Sequence, residues 1–145
     1  MGRTIVIAGV LLLFAASAPA ESGLRAVPPW QIDHYWIRTN TELDVDVPNM
    51  GKNLDKPTCS AVTYVIGSDG VTREITVRRT VPAGDLSLVA KSAVADLHYA
   101  PAADNDGREP VFTYIVMPFN LPADPATRAK ITAACKLSDF PKNYQ

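Results

Sequence analysis

Residues 103–109, ADNDGRE, set two aspartates around an asparagine just ahead of a glycine, an oxygen-rich run of the kind that lines a calcium loop. With Gly107 at the sixth position of an EF-type loop, the first ligand falls on Ala102 and the last on Thr113. Both positions need acidic side chains, because the closing bidentate carboxylate supplies much of the charge. The stretch therefore reads as a turn, in which Asp, Asn and Gly tolerate a tight left-handed backbone. Cys59 and Cys135 lack the C-x-x-C spacing and nearby histidines of a redox or metal pair. His34 and His98 lie far apart, and His98 reads as a boundary residue rather than a ligand. The carboxylates Asp44, Asp46, Asp104 and Asp106 are available for acid–base work, but nothing in the sequence brings two of them to one cleft. There is no G-x-S-x-G, no H-E-x-x-H and no glycine-rich phosphate loop. The expectation is a non-catalytic chain with no metal, no cofactor and no small-molecule substrate.

The start of the chain points to export. MGRTIVIAGVLLLFAASAPA has a basic residue, Arg3, an apolar run from Ile5 to Ala16, and the small-residue ending Ala18-Pro19-Ala20. That is the layout of a signal peptide (residues 1–20) cleaved after Ala20. The apolar run falls short of the ~20 residues that span a bilayer, so cleavage is favoured over a permanent anchor. Cleavage at that point leaves 13 basic against 15 acidic residues. A chain so nearly balanced shows no electrostatic footprint for nucleic acid, and no basic helix face for a membrane surface. In an exported protein two cysteines most simply form one disulfide, Cys59–Cys135.

Behind these residues stand the elements that must position them. Residues 21–57 form an extended lead and loop, with alternation through Leu43, Val45 and Val47 suggesting a short strand that ends at Pro48. Trp30, Tyr35 and Trp36 could serve binding, but such side chains more often cover one edge of a small core, which is the reading preferred. CSAVTYVI, the turn GSDG and VTREITVRRTV read as a hairpin. On its second strand Ile75, Val77 and Val81 share one face, and Thr72, Glu74, Thr76, Arg78 and Thr80 the other. Arg73, Arg78 and Arg79 make that strand basic, which suits a solvated surface. Leu86, Ala90, Ala93, Val94 and Leu97 form the stripe of a helix capped by Asp85 and ending near Tyr99. PVFTYIVMPFNL is a strand apolar on both faces, so each face needs a cover, and Pro118 places its end at an edge or bulge. A last helix begins with Asp124 as cap and Pro125 in its first turn, within residues 122–145.

The order hairpin, helix, strand carries a set of small signatures over residues 58–121: Asp69-Gly70 at the hairpin turn, the alanine-rich helix end at Ala93 to Ala95, Tyr99, Pro101-Ala102, Gly107, Pro110-Val111 and Pro118-Phe119. In this order and spacing they resemble the C-terminal domain of the TonB energy-transducer family. The resemblance implies a small α+β domain in the periplasm, with helices on a three-stranded antiparallel sheet. It also implies a protein partner, a segment of an outer-membrane receptor that pairs with the last strand by β-augmentation. By this likeness the edge residues are Val111, Phe112, Thr113, Tyr114, Ile115 and Val116. The first segment carries no histidine, and only Pro28-Pro29 stands where the family has a long proline-rich spacer. Coupling to an inner-membrane motor is therefore not implied. The added disulfide and C-terminal helix leave open a structural envelope protein whose tail covers its own edge, and an uncleaved first segment leaves open an anchored transport accessory.

Overall fold

The structure is a computed structural model that describes residues 24–51 and 54–144. The expected leader and its cleavage point lie outside the described residues. Among those described, no helix is long and apolar enough to cross a membrane.

The domain is α+β. Its main sheet has four strands: β1 (Arg25–Ala26), β3 (Thr58–Ile66), β4 (Thr72–Val81) and β6 (Val111–Phe119), in the order β1-β6-β3-β4. A second, two-stranded sheet joins β2 (Trp36–Arg38) to β5 (Tyr99–Pro101). Two helices, α1 (Leu86–Ala95) and α2 (Pro125–Ala134), complete the order, with 3-10 turns at Pro29–His34 and Pro48–Gly51. The three long strands are antiparallel, as expected. The fourth, β1, corrects the three-stranded expectation by running parallel to β6.

The central strand β3 is buried along its whole length because both faces are covered. On one face Val62, Tyr64 and Ile66 meet Ala90, Val94 and Leu97, from α1 and the residues just beyond it. On the other, Cys59 and Ala61 meet Tyr114, Cys135 and Leu137, so α2 and the chain after it form the second layer. The disulfide Cys59–Cys135 joins that layer to the sheet, and both sulfurs are fully buried.

The alternation expected on β4 does not persist. Register shifts between Ala61 and Val62 and between Thr63 and Val65 mark two β-bulges, and Glu74 has φ 53° at the second. Each extra residue flips the faces beyond it. Thr72 thereby turns to the α1 side, where its hydroxyl donates to the Val94 carbonyl at 2.8 Å, while Val81 is left 40% exposed. Arg78 and Arg79 are not simply a solvated surface. Arg78 Nε donates to Thr63 Oγ1 at 2.8 Å and Nη2 to the Tyr144 carbonyl at 2.9 Å, and Arg79 Nη1 reaches the Ala134 carbonyl at 3.2 Å. They fasten the C-terminal layer.

Two further expectations shift. The stripe Leu43, Val45, Val47 forms no strand. The Asp44 and Asp46 N–H groups donate to Asp96 Oδ2 and Ser92 Oγ at 2.9 and 2.8 Å, so this segment lies along α1 through polar bonds instead. Helix α1 ends at Ala95, ahead of Tyr99, which joins β5. Asp85 does occupy the N-cap position, yet its carboxylate accepts from Asn49 Nδ2 at 2.7 Å and not from the helix.

At the hairpin turn Gly70 has φ +78°, and a Cβ there would lie 2.0 Å from the Tyr99 carbonyl oxygen, so only glycine fits. Asp69 beside it is held well below the usual carboxylate range by two hydrogen bonds from Arg73, at 2.8 and 2.6 Å, and by the Val71 N–H. Because the folded-state value is depressed, its contribution to stability is present above the unfolded value of about 4 and fades as pH falls below it. Asp69→Asn should therefore lower the urea midpoint at pH 7 by a small, salt-sensitive amount. The amount is small because both groups are exposed to solvent. In a pH series the deficit should narrow as pH falls below about 4 and the carboxylate protonates.

Candidate functional site

The last long strand, β6, is paired in register with β3 along all nine of its residues. Its other margin is occupied only at the start. Arg25 lies opposite Val111, Ala26 opposite Phe112, and the Val27 N–H donates to the Phe112 carbonyl at 2.8 Å. Pro28 and Pro29 follow, and neither has an N–H to continue the ladder, so the chain leaves the sheet into the 3-10 turn Pro29–His34. An ion pair between Arg25 Nε and Glu109 Oε1 at 2.8 Å holds β1 in place, with the Arg25 guanidinium 5.5 Å from the centre of the Tyr35 ring.

Because the Phe112 carbonyl faces β1, strand alternation turns the main-chain groups of Tyr114 and Val116 to the same outer margin, while Thr113 and Ile115 bond inward to β3. Among the described residues, no hydrogen bond reaches that margin at Tyr114 or Val116. Pro118 shares their direction but has no N–H, which ends the run of donors. Of the expected edge Val111 to Val116, Val111 and Phe112 are flanked by β1, Thr113 and Tyr114 are buried at 1% and 3% exposure, and Ile115 and Val116 are half-buried.

Clefts flank this stretch on both faces of the sheet. On the α1 face a cleft of about 470 Å³ is lined by Ile32, Arg38, Tyr64, Tyr99, Thr113 and Ile115. The Tyr64 and Tyr99 hydroxyls lie 2.7 Å apart, and burial raises the pKa of each, so both stay protonated. Thr113 is 1% exposed and its hydroxyl has no hydrogen-bond partner. Thr113→Val keeps the shape and removes an unsatisfied buried group, so it should leave stability unchanged or raise it by up to ~2 kcal/mol in urea denaturation. A loss above ~1 kcal/mol would mean that the hydroxyl is bonded in solution.

On the α2 face a cleft of about 670 Å³ runs between β6, Trp30 and α2. Its α2 wall comes from Arg128, Ala129, Thr132 and Ala133, one helical stripe, with Lys136 just beyond. Helix α2 is set by the expected cap, for Asp124 accepts from the Thr127 N–H at 2.8 Å and from its hydroxyl at 2.6 Å.

Of the three aromatics expected to cover the core, Trp36 does so at 1% exposure, its Nε1–H donating to the Glu109 carbonyl at 2.9 Å. Trp30 does not, being 69% exposed at the mouth of the α2-face cleft. The ADNDGRE turn also has a role of its own. Asn105, 4% exposed, donates to the Tyr35 carbonyl and accepts from the Glu109 N–H, at 2.9 and 2.8 Å, fixing the approach to β6. The left-handed residue there is Arg108, φ 50°, rather than Gly107. The C-terminal chain covers a face of the sheet and not its margin: the Phe140 ring lies 5.4 Å from Phe112 and 4.9 Å from Tyr114. Sequence reasoning did not single out Arg128 and Lys136, and it gave Trp30 a binding role only as the less favoured alternative.

The fold is an α+β domain whose outer β6 margin is strand-paired only at its start. No family model and no curated protein matches the chain. Among solved structures it is similar to the solution NMR structure of Pseudomonas aeruginosa TonB CTD, at 17% identity over 61% of this chain and 89% of that one, with a TM-score of 0.43.

Proposed function

We propose that this chain is a non-catalytic periplasmic module that captures an extended segment of a partner protein by strand addition at the outer margin of β6. The observation that carries the reading is the unpaired main chain of Tyr114 and Val116, opened where Pro28 and Pro29 end β1 and bordered by clefts on both faces. An added strand sends alternate side chains to opposite faces, so such a margin offers main-chain bonds together with two sets of side-chain contacts. A segment of an outer-membrane receptor is the partner that the family resemblance suggests, and a role in transport across the envelope follows from it.

The test is a panel of short, capped, extended peptides added to the protein, with amide exchange followed residue by residue. Slowed exchange at Tyr114 and Val116 is the expected result. Val116→Pro should abolish it while leaving the far-ultraviolet dichroism intact, because that N–H points away from β3 and Pro118 already occupies an equivalent position. Protection confined to the β3–β4 hairpin would refute the reading. A second reading, a disulfide-stapled structural protein with a closed margin, draws support from β1 at Phe112. It predicts no peptide protection at all.

A further inference from the structure

We infer that the segment captured at β6 is acidic, carrying carboxylates on the side chains that face α2, one or both sides of an apolar residue; this rests on the strand-addition reading. The α2-face cleft has an apolar floor and wall, formed by Trp30, Val116, Leu121, Ala129 and Ala133. Its lining includes two cations, Arg128 and Lys136, and no aspartate or glutamate. Both are exposed, and among the described residues neither forms an ion pair. Lys136 Nζ stands 6.0 Å from the centre of the Trp30 ring, which places its charge at the mouth of the cleft.

The opposite cleft differs. Its lining includes one anion and one cation, Asp33 and Arg38, so it is balanced in charge, and the Tyr64 and Tyr99 hydroxyls add neutral polar groups. A strand lying along Tyr114 and Val116 therefore meets a net positive, apolar surface with one set of alternate side chains and a neutral, hydroxyl-bearing surface with the other. Carboxylates two residues from an apolar side chain satisfy the first surface. A basic segment would be repelled there, and a purely apolar one would leave both cations unpaired.

The experiment uses three capped peptides in which threonine alternates with a variable position. The first carries glutamate, leucine and glutamate at those positions. The second replaces each glutamate with glutamine and the third with lysine. Binding is followed by Trp30 fluorescence and by exchange at Tyr114 and Val116. At low ionic strength the glutamate peptide should bind about tenfold more tightly than the glutamine peptide, as expected for two partly exposed charge pairs, and the gap should narrow with salt. Arg128→Glu with Lys136→Glu should reverse the order in favour of the lysine peptide; if that protein folds poorly, Arg128→Gln with Lys136→Gln should erase the preference. Equal binding of the glutamate and glutamine peptides, with Tyr114 and Val116 protected by both, would overturn the acidic preference and leave strand capture standing. Tighter binding of the lysine peptide to the unaltered protein would also overturn it. An acidic preference that persists in Val116→Pro would show that the charges attract without strand pairing and would remove the inference. If none of the three binds, strand capture fails and the acidic preference fails with it.

Discussion

Trp36→Ala should destabilise the protein by about 3–5 kcal/mol, a large share of the stability of a domain this size. The indole is 1% exposed and belongs to the core formed by Val27, Ile66, Val94, Leu97 and Val111. It also joins three parts of the fold. Residue 36 begins β2, its Nε1–H holds the Glu109 carbonyl ahead of β6, and its ring lies against the hairpin turn near Gly70. Truncation removes the apolar contacts, opens a cavity and leaves the Glu109 carbonyl without its donor. Urea denaturation measures the loss, and Trp36→Phe should recover part of it by refilling the space without restoring the hydrogen bond. A loss below ~1 kcal/mol for the alanine variant would contradict the packing described.

Loss of the disulfide cross-link should cost about 4.5 kcal/mol, the chain-entropy value for a loop of this length, and Cys59→Ser with Cys135→Ser at least that. The two cysteines lie 76 residues apart in sequence, so the bond restricts most of the domain in the unfolded chain. In the folded state its neighbours are Ala61, Tyr114 and Leu137, and polar serines in that fully buried site add to the loss. The paired alanine variant separates the two effects and should recover the polar part. The α2 layer is also held by Phe140 on the sheet and by the Arg78 and Arg79 guanidinium groups, so it should loosen before it detaches, with α2 amides exchanging first. A double variant with an unchanged urea midpoint would argue that the bond constrains little. Since the C-terminal layer packs on Tyr114 and Val116, cutting the bond should expose those side chains as the layer loosens.

Much of this architecture was legible because it is periodic or punctuated. The β3–β4 hairpin announced itself through β-branched runs around Asp69-Gly70, the α1 stripe through helical spacing, and α2 through Asp124 and Pro125. The two-sided apolar character of β6 foretold cover on both faces, which α1 and the α2 layer supply. What escaped was set by tertiary contact. Strand β1 has two residues, too few for any period, and exists because Phe112 and Glu109 accept what Val27 and Arg25 donate. The β4 bulges are invisible to an alternation that presumes even pairing. The Leu43 to Val47 pattern mimicked a strand because one side of that segment rests on α1. The pairing of β1 at Val111 and Phe112 is likewise hidden, because it comes from two residues with no pattern of their own.

The two prolines that stop β1, together with Pro118 further along, have a thermodynamic corollary. Between them the unpaired run has two N–H groups and a few carbonyls, about four new bonds at roughly 0.5–1.5 kcal/mol each. Docking any polypeptide forfeits at least ~4 kcal/mol of translational and rotational freedom. Main-chain pairing on so short a rail therefore comes close to breaking even. A sequence-blind strand drifting past would not stay, and retention falls to whichever side chains fill the flanking hollows.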